Sequence, residues 1–177
     1  IVLVRETAEM YRDMTTIFIE NHKDEHREQI QWLLNILNGT SEQDSIFFRN
    51  TDQADGFVLL PNMHWRSGNT ASPAIDSLDC LAIVNTMGLR TIRDLTGTHL
   101  PLLRNLKNEG TAAIAEKYGV VENKLRVYFH YLPSFYHLHV HYTHVNNKLG
   151  CNIERAIFLD DVIDMLETSS NAMEEKT

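Results

Sequence analysis

The stretch HLHVHYT, residues 137–143, constrains the backbone more than any other part of the chain. His137, His139 and His141 alternate with Leu138, Val140 and Tyr142. A period of two is that of a β-strand, so the imidazoles project from one face and the apolar side chains from the other. One face must be core. The other is a row of groups that titrate near neutral pH. Residues 130–145 hold five of the nine histidines, counting His130 and His144 with the three of the row.

The rest of the chain supplies a frame for this strand. With 177 residues, 43% of them hydrophobic, it can bury one real core and is too short for two. Residues 6–21 carry a helical stripe of Met10, Tyr11, Met14, Ile17 and Phe18. Residues 24–38 predict a second helix, acidic in its first turn and stopped by Gly39, with a core stripe of Ile30, Leu33, Leu34 and Leu37. Trp32 falls off that stripe, with Ile36. Helical geometry fits a Trp covering a neighbouring element as well as an exposed aromatic kept for stacking a ligand. Two apolar runs around Asp55-Gly56 predict a β-hairpin over 45–61. RSGNTASP, residues 66–73, predicts a loop, and LDCLAIVNT a buried strand. Thr96 or Thr98 caps a helix running to about Tyr118, with Leu103, Leu106, Ile114 and Tyr118 inward. LRVYFHYLP and the histidine strand are joined through Pro133 and Ser134. A helix over 153–166 and a frayed polar tail from 167 close the chain. This order predicts an α+β fold with an antiparallel sheet.

Composition narrows the partners. The formal charge is −8 and there is no Lys/Arg block, so a long nucleic-acid backbone is excluded and any anion must meet a local pocket. Cys80 and Cys151 sit in unrelated contexts and read as free thiols in a reducing compartment, with the cytoplasm and nucleus as the expected location. No apolar run approaches membrane-spanning length. The opening IVLVRETAEM is not a signal peptide and reads as the interior of a longer chain.

Three chemistries compete for the histidine row. A zinc ion could take imidazoles with water as a further ligand. Residues i, i+2 and i+4 of one strand, however, spread over about 13 Å, which argues against one ion held by all three and leaves two neighbours plus a distant third as the workable metal geometry. A solvent-facing polar strand would suit a lone histidine better than three in register. The third reading is nucleophilic catalysis, in which one imidazole attacks phosphorus and its neighbours handle the phosphate charge and the leaving group.

HLHVHYT fits the histidine triad signature, with Thr143 in its last apolar slot. Together with LRVYFHYLPSFYHLHVHYT, the segments DGFVLLP, LTGTHLPLLRN and IQWLLNIL make the chain resemble the scavenger mRNA decapping branch of the histidine triad (HIT) superfamily, from about residue 3 to residue 166. The resemblance implies a HIT-like sheet that dimerises, a helical lead-in over 1–44 carrying part of the cap pocket, and a catalytic core over 45–166. It implies that His139 is the nucleophile, with His137, His141 and His130 beside it, and that no cofactor is needed. Ser134 would contact the phosphate chain, Trp32 would stack on 7-methylguanine, and Glu42 would accept from the guanine edge. Pro61, Asn62, Met63 and His64 would complete the pocket for a capped dinucleotide or short capped RNA fragment. A methylated guanine is cationic, so its stacking on an indole gains a cation–π attraction.

The chain departs from the family pattern in three places. Asn62-Met63-His64-Trp65 stands for Asp-Leu-Lys-Trp, the loop after Trp65 is longer, and the family's swapped N-terminal lid and the strand after the last helix are expected to be missing. Met63 can still cover the base, whereas Asn62 and His64 weaken the electrostatics toward ligand. The alternatives are a general triad hydrolase of dinucleoside polyphosphates, which needs no methylguanine clamp, and a cap-binding protein with weakened catalysis.

Overall fold

Alternating apolar positions build the sheet, and their phase decides what each face carries. The structure is a computed structural model that describes residues 4–66, 74–152 and 154–175, with only the backbone of His64 and Arg66. The predicted loop over 66–73 lies almost wholly outside the described residues. Strands β1 (Phe48–Arg49), β2 (Phe57–Pro61), β3 (Asp79–Val84), β4 (Leu125–His130), β5 (His139–His144) and β6 (Ala156–Phe158) form one sheet in the order β1-β2-β3-β5-β4-β6. Every pairing is antiparallel, so the fold is α+β, as the sequence predicts. The predicted hairpin is β1–β2, with Phe48 opposite Leu59. All five residues of β2 are buried, as expected of a strand covered on both faces.

Helices cover both faces. In chain order they are α1 (Ala8–Met10), a π-helical turn (Tyr11–Thr15), α2 (Thr16–Asn21), α3 (Lys23–Gln29), α4 (Gln31–Leu37), α5 (Met63–Arg66), α6 (Leu100–Tyr118), α7 (Leu159–Thr168) and α8 (Ala172–Glu175). Phe57, Leu59, Cys80, Ala82, Val84, Val140 and Tyr142 pack with α6 and α7 through Leu102, Leu103, Leu106, Ile114, Leu159 and Val162. On the opposite face, Val58, Leu60, Leu81 and Ile83 pack under Leu33 and Ile36 of α4. Tyr142 anchors β5 to α6: its hydroxyl donates to the Leu106 carbonyl at 2.6 Å. A Cβ at Gly110 would lie 2.4 Å from that oxygen, so only glycine permits the approach.

Four expectations are corrected. The stripe over 6–21 is mostly exposed at Met14, Ile17 and Phe18, and the buried residues are Tyr11 and Ile19. The π turn widens the helix locally, so the residue inward two turns after Tyr11 is Ile19 instead of Phe18. The helix over 24–38 is broken at Ile30 (φ −96°, ψ 3°), and α4 then buries Leu33 and Ile36. Ile36 therefore belongs to the core, although it sits one turn from the exposed Trp32 and lines the same cleft. The last helix begins at Leu159 and not at 153, because residues 156–158 pair with β4 as an edge strand. The tail is tied down: Met173 on α8 is fully buried in the main core. Among the described residues no helix is long and apolar enough to cross a membrane.

Candidate active site

The sheet register assembles the site. Asp79, Leu81 and Ile83 of β3 face the same way as Thr143, His141 and His139 of β5, and are paired with them in that order. Tyr128 of β4 lies opposite His141, and His130, two residues on, shares its face. This is the face that α4 covers only in part. Gly39, at φ 75°, turns the chain away after Leu37 in a conformation few other residues adopt. Over the uncovered part lies a cleft of about 770 Å³.

Most of the predicted residues meet there. Trp32, Glu42, Pro61, Asn62, Met63, His130, Ser134 and His141 all line the cleft. Trp32 is 39% exposed and its indole meets Phe135 edge-on at 5.4 Å. Glu42 takes the left-handed conformation (φ 57°) that non-glycine residues seldom adopt, and its carboxylate accepts from Ser45 Oγ at 3.0 Å. Asn62 does not aim its side chain at open space: Nδ2 donates to Asp79 Oδ2 at 3.1 Å, and its backbone N–H donates to the Asp79 carbonyl at 2.9 Å. His64 lies on α5, and its side chain is outside the described residues.

His137 and His139 are set behind the cleft wall, 2% and 4% exposed. His137 precedes the strand, and its Nε2 donates to the Val84 carbonyl at 2.9 Å. His139 Nδ1 donates to the His137 carbonyl at 2.7 Å. A carbonyl only accepts, so the proton of a neutral His139 sits on Nδ1 and Nε2 keeps its lone pair. That Nε2 is buried with no hydrogen-bond partner. Burial, reinforced by the nearby His141, pushes His139 down to about 3, so the ring is neutral at physiological pH. Burial also lowers His137, and lowers His130 against the opposing effect of its bond to the Gly150 carbonyl. His130 Nε2 donates to that carbonyl at 2.7 Å.

The rings are in contact. Phe135 stacks on His139 at 4.0 Å, His139 meets His141 nearly perpendicular at 5.3 Å, and His141 lies 4.4 Å from His130 and stacks on Tyr128. A bare, neutral nitrogen on a ring next to one imidazole, with another beyond it, can attack an electrophilic phosphorus while its neighbours handle protons. Among the described residues no group of three His, Cys, Asp or Glu side chains is placed to hold a metal ion.

Two wall residues escaped sequence reasoning. Arg155 is the one guanidinium among the described lining residues, and its Nη2 donates to the Leu132 carbonyl at 3.0 Å. It lies in the turn before β6, and nothing in its local sequence marks it. Asp79 did leave a signal: a carboxylate in phase with Leu81 and Ile83 at the start of a buried strand is out of place unless it has work there.

An antiparallel α+β fold whose histidine strand floors a half-covered cleft defines a class of site suited to phosphorus chemistry. Residues 31–156 match the family described as "Scavenger mRNA decapping enzyme C-term binding", and the chain belongs to that family. It is similar to proteins named m7GpppX diphosphatase: 43% identical to that of Rattus norvegicus and 42% to that of Homo sapiens, each over 99% of this chain and 50% of the relative. The relative from Schizosaccharomyces pombe is 38% identical over 97% of this chain and 55% of its own length. The chain thus spans about half the length of the curated relatives it matches.

Proposed function

We propose that this chain hydrolyses residual 7-methylguanosine caps left by mRNA decay, releasing 7-methylguanosine monophosphate and a nucleoside diphosphate through a nucleotidyl intermediate on His139. The observation that carries this reading is the state of His139: Nδ1 is held by a carbonyl, and Nε2 is bare and buried on a ring that meets the His141 imidazole, with His130 beyond it. A nucleophile of this kind needs no base to deprotonate it. The cleft suits the proposed ligand: Trp32 offers an indole face to a cationic base, Met63 is exposed on its wall, Glu42 offers a carboxylate, and Arg155 offers charge to phosphates. The name shared by the relatives gives the substrate its identity.

The test is turnover of a methylated cap dinucleotide, read by chromatography. His139→Asn keeps the size and loses the attacking nitrogen, so hydrolysis should disappear while binding persists. A variant retaining a tenth of the wild-type rate, a barrier change of about 1.4 kcal/mol, would exclude covalent catalysis at His139. In the wild type, rapid quenching followed by mass spectrometry should find the nucleotide mass on the peptide carrying residues 137–143.

A further inference from the structure

Resting on the reading of the cleft as a phosphoanhydride hydrolase, we propose that Asp79 is a positioning residue for His141. Its carboxylate accepts Nδ1–H of that ring and leaves Nε2 as the atom that hands a proton to the leaving group. The observation is a pair of stranded atoms. Asp79 Oδ1 is buried without a hydrogen-bond partner, and so is Nε2 of His141. His141 Nδ1 lies between them in the chain of groups, 4.0 Å from Asp79 Oδ1. A buried carboxylate oxygen without a donor is costly, and folds keep one where a proton is to be held.

The surroundings leave Oδ1 one use. Asn62 pins the other oxygen with its side-chain amide and the Asp79 carbonyl with its backbone N–H. The carboxylate is thereby fixed with Oδ1 toward His141, whose side chain is only 12% exposed. Tyr128 stacks on that ring at 5.4 Å and holds its plane. Closing 4.0 Å to a hydrogen bond takes about 1 Å, the kind of tightening that ligand-free catalytic sites make when substrate binds. Asn62 acquires a role by the same geometry: its amide donates to Asp79, which a second carboxylate at that position could not do.

The step balances with the groups present. The Nε2 lone pair of His139 forms a bond to the phosphorus next to the methylated nucleoside. The bond from that phosphorus to the bridging oxygen breaks, and its electron pair leaves on the nucleoside diphosphate, which takes the Nε2 proton of a doubly protonated His141. Water then attacks the same phosphorus and returns a proton to His141 Nε2. The electron pair of the N–P bond returns to His139.

Two measurements test the assignment. In ligand-free protein, long-range ¹H–¹⁵N spectra, with His141 assigned through His141→Gln, should show the neutral ring protonated on Nδ1. In Asp79→Asn, Asn62 keeps its oxygen acceptor, the new NH2 group faces Nδ1, and the ring should switch to the Nε2–H form. In turnover, Asp79→Asn should lower kcat on the methylated cap dinucleotide by on the order of a hundredfold, with KM moved by less than about threefold. On the 4-nitrophenyl ester of 7-methylguanosine monophosphate, whose leaving group departs without a proton, the loss of kcat/KM, which reports the step that releases the leaving group, should shrink to less than about fivefold. A wild-type ring protonated on Nε2 overturns the proposal, and so do equal losses of kcat/KM on both substrates. If Asp79→Asn fails to fold, the wild-type spectrum decides alone. A wild type inactive on both compounds overturns the hydrolase reading and the catalytic half of this proposal, while the spectrum still judges the pairing.

Discussion

At the scale of single residues, His139 couples burial to protonation in a way that stability can report. Its ordinary value of 6.5 is depressed to about 3 in the folded chain. Between these values the unfolded chain binds a proton that the folded chain refuses, so stability is full above about pH 6.5 and falls as pH drops through that window. His139 alone should remove about 2 kcal/mol on going from pH 7.5 to pH 5. His137 and His130 are shifted in the same direction, so the test is a comparison. Urea midpoints of His139→Asn should fall less steeply over that range than those of the wild type, and parallel slopes would mean the ring is not held neutral by burial. Trp32 calls for a different readout. With 39% of its surface exposed on the cleft wall, it has little packing to lose, and Trp32→Ala should cost about 1–2 kcal/mol of affinity for a 7-methylguanine nucleotide and much less for the unmethylated one. Equal losses by calorimetry would reduce Trp32 to a packing residue.

At the scale of elements, β5 holds the site because its other face is locked to α6. Tyr142 is fully buried, and its hydroxyl reaches the helix backbone where Gly110 makes room. A methyl group there must push the strand and the helix apart, so Gly110→Ala should destabilise by about 2–3 kcal/mol, more than loss of helical strain could offset. Chemical denaturation checks the sign, since an exposed helical glycine would instead gain stability on becoming alanine. His139 and His141 lie one residue from Tyr142 and Val140 on the opposite face, so the same substitution should also lower turnover in protein that remains folded.

At the scale of the whole molecule, Arg93 ties the two ends of the described chain to its centre. Its guanidinium donates to the carbonyls of Met173 and Glu174 and pairs with Glu6 at 3.1 Å. It also lies over the rings of Tyr11 and Tyr131 at 5.3 and 5.5 Å. The side chain is 5% exposed and that of Glu6 16%, so removing Arg93 leaves the Glu6 carboxylate without this countercharge, held by the hydroxyls of Thr15 and Tyr131. Arg93→Met keeps the stem and should cost about 3 kcal/mol, with the segments around Glu6 and Met173 losing amide protection together in hydrogen exchange. Loss at one end alone would show that the two are not joined through this residue.

The period-two histidine stretch was enough to orient every side chain of β5, because alternation is a local property of an extended backbone. The hairpin, β3 and α6 were legible for the same reason, whereas spacing left Trp32 open between packing and exposure, and the fold leaves it 39% exposed. The π turn that moves burial from Phe18 to Ile19 and the break at Ile30 were not, since both answer to what the helices pack against. Residues 156–158 became a strand only because the edge of β4 was there to pair with them. A polar tail became a helix because Met173 found the core. The approach of Asp79 to His141 and the arrival of Arg155 in the cleft depend on sheet register and on a turn far along the chain. Contacts between residues so distant in sequence have no local pattern to announce them, and only the closed fold decides them.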